Sequence, residues 1–183
     1  MFEVRPISAV EAKVVVSTWH YLGSKPFRCG YVVGLFDGTS LVGAAVFHGL
    51  SAPETAVGAF GLSRTDQSGL WELGRFVLAP HLNGGNVGTW FLSRALKLLR
   101  ASRTVRAVIS YADSSLHSGG IYRAASFTAC GLTAAKADYF VDGHIQERGP
   151  TKGRGGTWYP RPRKYRFVKV YGRKLTLLWE SSA

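Results

Sequence analysis

The sequence predicts an α/β fold with one central mixed β-sheet and helices on both of its faces. The clearest helix runs from Thr89 to Ala101, where apolar residues form one stripe and cations occupy the other side. Apolar runs typical of buried strands precede and follow it, at 70–78 and 105–111. Because helix and strand patterns alternate along much of the chain, a sheet covered by helices on both faces would bury the apolar surface well.

Local signals place the other elements. Ser8 is a suitable N-cap for a first helix, since its side chain can accept a backbone N–H bond at the helix start. The pair Asp37-Gly38 lies between two apolar runs and predicts a tight hairpin, because it supports the positive backbone angles of such a turn. The remaining predicted elements are, in order, a strand at 1–7, a helix at 9–19, strands at 31–36 and 41–47, a loop at 51–69, a short helix at 121–127, and strands at 137–141 and 166–170.

Length and composition indicate one globular domain. With 183 residues, of which 46% are hydrophobic and 19% charged, the chain can bury one core of ordinary size. We expect this domain at 1–147, completed by a basic, aromatic-rich extension at 148–183. No apolar run approaches the roughly 20 residues of a membrane-spanning helix, and the N-terminus lacks a secretory signal pattern, so we expect a cytoplasmic protein. Cys29 and Cys130 are expected to be reduced thiols, and no set of metal ligands stands out.

Positive charge is concentrated near the C-terminus. The formal net charge is +12, and residues 148–174 contain ten Lys or Arg and no Asp or Glu. Aromatic residues such as Trp158 and Tyr159 are interleaved with these cations. Since cations neutralise phosphates and aromatic rings stack on exposed bases, the pattern favours a nucleic-acid surface over a merely solvated basic face. The predicted DNA contacts are Arg154, Arg161, Arg163, Lys164 and Arg166.

Two charged residues lie within the otherwise apolar strand at 70–78. Glu72 and Arg75 are three positions apart, so they face opposite sides of a regular strand, whereas a bulge between them brings both to one side. Charges in such a strand are costly to bury without partners. The pair is therefore either part of a functional site or a charge pair at a sheet edge.

A Gly/Asn-rich segment, 83–88, directly precedes the clearest helix. Exposed backbone N–H groups and a helix N-terminus attract negative groups, so the segment resembles a phosphate-binding loop. A simple tight turn before a helix has the same composition, and this interpretation stays open. The candidate donor-binding residues of the segment are Gly84, Gly85, Asn86 and Gly88.

Polar side chains also collect after the second buried strand. Ser110, Tyr111 and Asp113 lie at its end, and His117 and Tyr122 follow within a short distance along the chain. A carboxylate at a strand end can orient an amino group or accept a proton, and a tyrosine can donate one. The alternative is a turn residue for the aspartate and a half-buried helix aromatic for the last tyrosine. Their grouping favours an active site, with Ser110 as a further donor-binding candidate.

Several short segments form a wider pattern: His20-Tyr21-Leu22-Gly23, Leu41-Val42-Gly43, Glu72-Leu73-Gly74-Arg75, the turn at Asn86, Ile109-Ser110-Tyr111-Ala112-Asp113, and Gly120-Ile121-Tyr122-Arg123-Ala124. Together they resemble the phage Mom family over about residues 17–142. The most specific segments are Glu72-Leu73-Gly74-Arg75 and Ile109-Ser110-Tyr111-Ala112-Asp113.

The resemblance implies an enzyme that modifies DNA. Mom-like proteins place a carbamoylmethyl group on the exocyclic nitrogen of adenine in phage DNA, which protects the DNA from host restriction enzymes, and their fold resembles that of the GNAT acyltransferases. Double-stranded DNA is then the expected partner and the host cytoplasm the expected location. Tyr122 stands where many GNAT enzymes keep a general acid, and Thr89 stands where the family often has Ser. The implied catalytic residues are His20, Tyr21, Arg75, Asp113, Tyr122 and Thr89.

The acyl donor is left open. GNAT enzymes that bind coenzyme A usually carry two Gly, or Gly and Ala, at set positions before the central helix, and Asn86 takes one of these positions in either possible frame. Acetyl-CoA and an activated glycyl group, such as glycyl-tRNA, are the candidate donors. A glycyl donor explains how an acyltransferase could leave a methylene on adenine, if the first product rearranges. Two other functions compete: a coenzyme A dependent N-acetyltransferase, and a nucleic-acid-binding module without catalysis.

Overall fold

The structure is a computed structural model that describes residues 1–146, 155–172 and 174–180. A short 3-10 helix at Pro80–Leu82 precedes the longest α-helix. The other elements in those ranges are β1 (Phe2–Pro6), α1 (Ala9–Trp19), β2 (Tyr31–Asp37), β3 (Ser40–Gly49), α2 (Glu54–Phe60), β4 (Leu70–Leu78), α3 (Val87–Ser102), β5 (Ala107–Asp113), α4 (Gly120–Ala124), β6 (Thr128–Leu132), β7 (Lys136–Val141), β8 (His144–Ile145), β9 (Thr157–Arg161) and β10 (Lys164–Val170).

Seven strands form one sheet in the order β1-β2-β3-β4-β5-β10-β6. Neighbouring strands are antiparallel except β4 and β5, which are parallel. The predicted mixed sheet is therefore confirmed. Strand β10, which belongs to the basic C-terminal segment, lies inside this sheet between β5 and β6. That segment thus contributes an internal strand of the sheet.

Helices cover both faces of the sheet, as predicted. Side chains alternate along a strand, so Val32 and Val33 of β2 point to opposite faces. Val16 of α1 packs in the same cluster as Val32, and Phe91 of α3 packs with Val33. Helix α2 packs against Ile109 on the face that α1 covers. None of the helices in the described ranges combines the length and apolarity needed to cross a membrane.

The predicted loop at 51–69 is wrong, because α2 forms within it. Its Ala56, Ala59 and Phe60 are buried in one cluster with residues of β4, β5 and β10. A Cβ atom at Gly58 would lie 3.3 Å from the indole nitrogen of Trp179, which is a tight contact. A helix of only seven residues is stabilised mainly by such packing, which its short sequence pattern does not reveal.

The C-terminal part also differs from the prediction. The helix expected at 121–127 ends at Ala124, and β6 begins at Thr128. Strands β7, β8 and β9 form a separate three-stranded sheet in the order β8-β7-β9, which the sequence did not predict.

The hairpin of β2 and β3 is present, with Gly38 at a φ of +57° and the centre of its turn at Gly38-Thr39. The predicted centre was one residue earlier.

Strands β4 and β5 pair only at their beginnings. The register runs from Leu70 opposite Ala107 to Leu73 opposite Ser110, and both strands then continue without pairing to each other. The Ser110 hydroxyl donates a 3.0 Å hydrogen bond to the Leu73 carbonyl at this last pair. The two strands therefore form a wedge that opens toward their C-terminal ends.

A β-bulge lies on β4 where the wedge begins. Val46 of β3 is opposite Arg75, and the next residue of β3, Phe47, is opposite Leu73, so Gly74 is the extra residue. A Cβ atom at Gly74 would overlap the His48 imidazole, which explains the glycine. The bulge places Glu72 and Arg75 on the same face of the sheet, the face covered by α1 and α2. This confirms the bulged alternative of the sequence interpretation.

Candidate active site

The wedge opens into a cavity of about 620 Å³, here called the main cavity. Its walls come from β4, β5, the residues after α1, and the β5–α4 connection. The predicted residues that line it are His20, Tyr21, Arg75, Asp113, Tyr122, Gly84 and Lys164. Five residues implied as catalytic, which come from three separate parts of the sequence, therefore line one cavity.

Arg75 is the most unusual cation of the main cavity. Its Nε atom is buried and has no hydrogen-bond partner among the described residues, while its NH1 group donates to the Gly74 carbonyl at 2.8 Å. The guanidinium lies 5.5 Å from the centre of the Phe27 ring. Burial lowers the pKa of Arg75, although the group stays charged. A buried N–H group without a partner is costly, so this donor marks Arg75 as a candidate functional residue.

His20 is held as a neutral imidazole. Its Nδ1 atom accepts a 3.1 Å hydrogen bond from the Leu22 amide, which leaves the proton on Nε2. Burial is the main cause that lowers the pKa of His20 to about 4, and electrostatic interactions with Arg75 and His117 contribute to the same shift. The Tyr21 ring stacks on His20 with 4.5 Å between centroids and meets His117 edge-on at 5.5 Å. His20 is thus placed to donate a hydrogen bond from Nε2 at neutral pH.

Asp113 is an ionised carboxylate at the end of β5. Its Oδ1 atom accepts hydrogen bonds from the Ser115 amide at 3.0 Å and the Ser115 hydroxyl at 2.6 Å. The Ser115 hydroxyl is the main cause of the lowered pKa of Asp113, and the charges of Lys164 and His117 add to it. Both sequence interpretations are therefore compatible with its position, because Asp113 holds a turn and also lines the main cavity.

Tyr122 lines the main cavity and packs against two phenylalanine rings. Its ring stacks on Phe167 at 4.8 Å and meets Phe127 edge-on at 5.7 Å. Burial raises the pKa of Tyr122, and a hydrogen bond with Ser110 partly offsets this effect. A phenol with a raised pKa keeps its proton at neutral pH and can donate it. Ser110 itself is fully buried and holds the wedge through Leu73, so its structural position is behind the cavity wall.

The glycine-rich loop before α3 is only partly turned toward the cavity. Gly84, with a φ of +89°, lines it, whereas Gly85 is not part of its described lining. Asn86 is the N-cap residue of α3 but makes no side-chain cap bond. Gly88 packs close to Ile121 of α4, where a Cβ atom would come within 2.9 Å of the Ile121 side chain. Thr89, in the first turn of α3, is half-buried and lies outside the described lining of the main cavity.

The predicted DNA contacts occupy different environments. Arg161 is paired with Asp138, and Arg163 donates to the Thr133 carbonyl at 2.7 Å. Lys164 is exposed and lines the main cavity. Arg166 is half-buried, with its guanidinium 4.4 Å from the centre of the Trp179 ring. Arg154 lies outside the described residues.

Glu72 and His117 line the main cavity but were not among the predicted site residues. Glu72 is 9% exposed and lines the main cavity beside Arg75. His117 also lines it and contacts Tyr21. The sequence shows Glu72 as a charge within an apolar strand, but the face of the sheet to which its side chain points depends on the bulge. In the described part of the chain, no three His, Cys, Asp or Glu side chains come together as a metal site would require.

Comparison with solved structures shows the fold. An acetyltransferase from Bacillus subtilis in complex with CoA is similar with a TM-score of 0.53 and 11% identity, covering 93% of this chain and 97% of that one. A GNAT-family acetyltransferase from Streptococcus pneumoniae is similar with a TM-score of 0.57 and 11% identity, covering 94% of this chain and 100% of that one. A mosquito arylalkylamine N-acetyltransferase-like protein is similar with a TM-score of 0.58 and 12% identity, covering 93% of this chain and 100% of that one. The fold is therefore that of the GNAT acetyltransferases, as the resemblance implied.

Comparison of sequences shows the family. No curated protein is similar enough in sequence to count as a match. The Mom protein family, in contrast, matches residues 1–158, which include strands β4 and β5 and the glycine-rich loop before α3. Because this match extends over most of the 183 residues, the chain belongs to the Mom protein family.

Proposed function

We propose that this transferase of GNAT fold converts adenine in double-stranded DNA to N6-carbamoylmethyladenine and thereby protects phage DNA from restriction in the host cytoplasm. The observation that carries the proposal is the buried Arg75 Nε donor without a partner, beside the neutral His20 and the ionised Asp113. This combination suits acyl transfer to a weakly basic amine, because the carbonyl oxygen gains negative charge during the reaction and Arg75 can stabilise it.

The donor is an activated acyl group that binds in the wedge. The Bacillus subtilis structure of this fold contains CoA, which supports a thioester as one candidate. Glycyl-tRNA is the other, and the net charge of +12 suits a nucleic acid. Gly84 and the neighbouring amides of the loop before α3 would lie beside the donor's phosphates or its terminal nucleotide.

A glycyl donor leads to the carbamoylmethyl product in two steps. The adenine amino nitrogen first attacks the glycyl carbonyl, and the bond from that carbonyl to the leaving group breaks. The glycyl amine then attacks C6 of the purine and closes a five-membered ring, which reopens when the bond between C6 and the original nitrogen breaks. The original nitrogen becomes the terminal carboxamide, so no atom is lost after the transfer. Proximity strongly favours such an intramolecular attack.

The side chains of the main cavity divide the remaining tasks. Asp113 accepts a hydrogen bond from the adenine amino group, and Arg75 holds the oxyanion. Tyr122, protonated at neutral pH, gives a proton to the leaving group, and His20 donates a hydrogen bond from Nε2. The adenine must leave the base stack to reach these groups, which requires base flipping.

Mass spectrometry of nucleosides from the DNA of cells that express the protein tests the proposal. The wild type is expected to yield carbamoylmethyl deoxyadenosine, and Asp113→Ala is expected to abolish it. DNA labelled with ¹⁵N at the adenine exocyclic position should place the label in the carboxamide. An acetylated amine with unmodified DNA would instead establish an N-acetyltransferase. Unmodified DNA that the purified protein binds tightly would favour a binding module.

A further inference from the structure

A second cavity, here called the side cavity, adjoins the main cavity on the sheet face that α2 covers. Its volume is about 360 Å³, within the roughly 300–1,000 Å³ typical of small-molecule pockets. Its walls come from the residues before and within α2, from the β6–β7 connection, and from the β9–β10 connection. Many of its lining groups are polar, including the hydroxyl-bearing residues Ser51, Thr55 and Thr133.

The two cavities meet at a shared wall. Glu72, Arg75, Tyr111 and Lys164 line both of them. A ligand in the side cavity and a ligand in the main cavity would therefore approach each other at these four side chains. This is the arrangement that a transfer reaction between two bound molecules requires.

Glu72 is the acidic group of the shared wall. Its Oε2 accepts the Ser51 amide and its Oε1 accepts the Ser51 hydroxyl, each at 3.0 Å. The side chain is 9% exposed, and within the described residues no cation lies within ion-pair distance of it. A buried carboxylate in this state has unused lone pairs, which favours a ligand that presents N–H groups.

Positive charge lines the mouth of the side cavity. Lys136 and Lys164 are exposed there, while Arg161 is engaged with Asp138. Strand β9 continues from this mouth and carries the exposed aromatic residue Trp158. A polar pocket that contains a glutamate and has lysines at its mouth is complementary to a nucleotide, whose phosphate would lie at the mouth and whose base would lie inside.

We propose that the side cavity receives the flipped adenine nucleotide and that Glu72 accepts a proton from its amino group. This inference rests on the proposed function. As the amino nitrogen forms its bond to the acyl carbon of the donor, one amino hydrogen passes to the Glu72 carboxylate. The bond from the acyl carbon to the leaving thiolate or alkoxide breaks, and the leaving group takes a proton from Tyr122. Asp113 holds the other amino hydrogen.

Glu72→Gln tests the role of the carboxylate. It keeps the shape of the side chain but removes the base, so modified deoxyadenosine in cellular DNA should fall by at least about 100-fold. Glu3→Gln, the same change on the exposed acid of β1, is the matched control and should leave the modification unchanged. Thermal unfolding of both purified variants separates misfolding from loss of chemistry. A Glu72→Gln variant that folds and modifies DNA at the wild-type level overturns the role of the carboxylate.

Ala134→Trp tests the position of the adenine. The indole would fill part of the side cavity and abolish modification, whereas Ala135→Trp changes the exposed neighbour, which lies outside its described lining. NMR titration of the wild type with deoxyadenosine monophosphate supplies a readout that needs no donor. Shifts at Thr133 and Lys136 that Ala134→Trp removes support the proposal.

The opposite NMR result, with shifts confined to His20 and Asp113, overturns the position of the adenine. NMR binding and DNA modification together also distinguish a failure of the proposed function from a failure of the side-cavity assignment. Wild-type protein that binds the nucleotide in the side cavity but leaves cellular DNA unmodified would refute the proposed function and keep the cavity assignment. Wild-type protein that modifies DNA while Ala134→Trp retains full modification would refute the assignment alone.

Discussion

The two strands of the wedge hold their charged residues in different ways. On β4, Glu72 and Arg75 sit beside a bulge, and Arg75 keeps a buried donor without a partner in the described structure. On β5, Asp113 lies at the strand end and is bonded by Ser115, only two residues away. The β4 charges are therefore held by the tertiary structure, whereas the β5 charge is stabilised by its own turn. Stability should then be more sensitive to substitution at the β4 bulge than at the turn after β5.

The largest effect among the following changes is expected for Arg75→Lys. Lysine keeps the positive charge but loses the planar fork of donors that reaches the reacting oxygen. Modified deoxyadenosine should fall by about 100-fold or more, the usual cost of removing one oxyanion donor. Mass spectrometry of cellular DNA measures it, with Arg94→Lys on the exposed side of α3 as the matched control. Equal modification by both variants would show that Arg75 acts only as a charge.

Gly74→Ala tests whether the bulge holds the β4 charges. The added methyl group overlaps the His48 imidazole, so the free energy of unfolding should fall by about 2–3 kcal/mol, as for other overpacked cores. Urea unfolding measures this change. Gly49→Ala, on β3 and in open space, should change stability by less than about 0.5 kcal/mol. Similar losses for the two variants would contradict the proposed constraint.

The burial of His20 predicts a pH-dependent stability. Its folded pKa of about 4 lies below the ordinary value of 6.5, so the unfolded chain binds more protons between these values. Its contribution is complete above pH 6.5 and declines as the pH falls toward 4. Between pH 6.5 and 5 the loss is at most about 2 kcal/mol, since His20 is partly exposed. Urea unfolding at pH 7 and pH 5 should show a smaller difference for His20→Asn than for the wild type.

The smallest effect is expected on β5. Ser115→Ala removes the hydrogen bond from the Ser115 hydroxyl to Asp113 and should lower stability at pH 7 by about 1 kcal/mol. The hydrogen bond lowers the pKa of Asp113, so its contribution exists above the ordinary pKa and is lost as the pH falls through the folded one. The difference between variant and wild type should therefore shrink below pH 4. The Ser114 hydroxyl donates to the Arg163 carbonyl instead, so the stability difference between Ser114→Ala and the wild type should stay the same at low pH.

Elements with strong local signals were predicted well. Helix α1 begins after Ser8 because a capping box with Glu11 satisfies its first amides, and this signal is contained in four residues. Strand β4 has the predicted bounds, and α3 contains the predicted helix with two more residues at its start and one more at its end. The predicted catalytic residues came from short motifs that resemble the Mom family, and five of them line the main cavity.

The sequence by itself determined the α/β class, the main helices and strands, the basic C-terminal segment and the motifs of the family. Only the tertiary structure decided that α2 is a helix, that β10 lies beside β5, and that Glu72 faces the same side as Arg75. Caps and periodic apolar patterns act over a few residues, so they can be recognised along the chain. A bulge, a short packed helix and a shared cavity wall depend on contacts between distant segments, which no local pattern encodes.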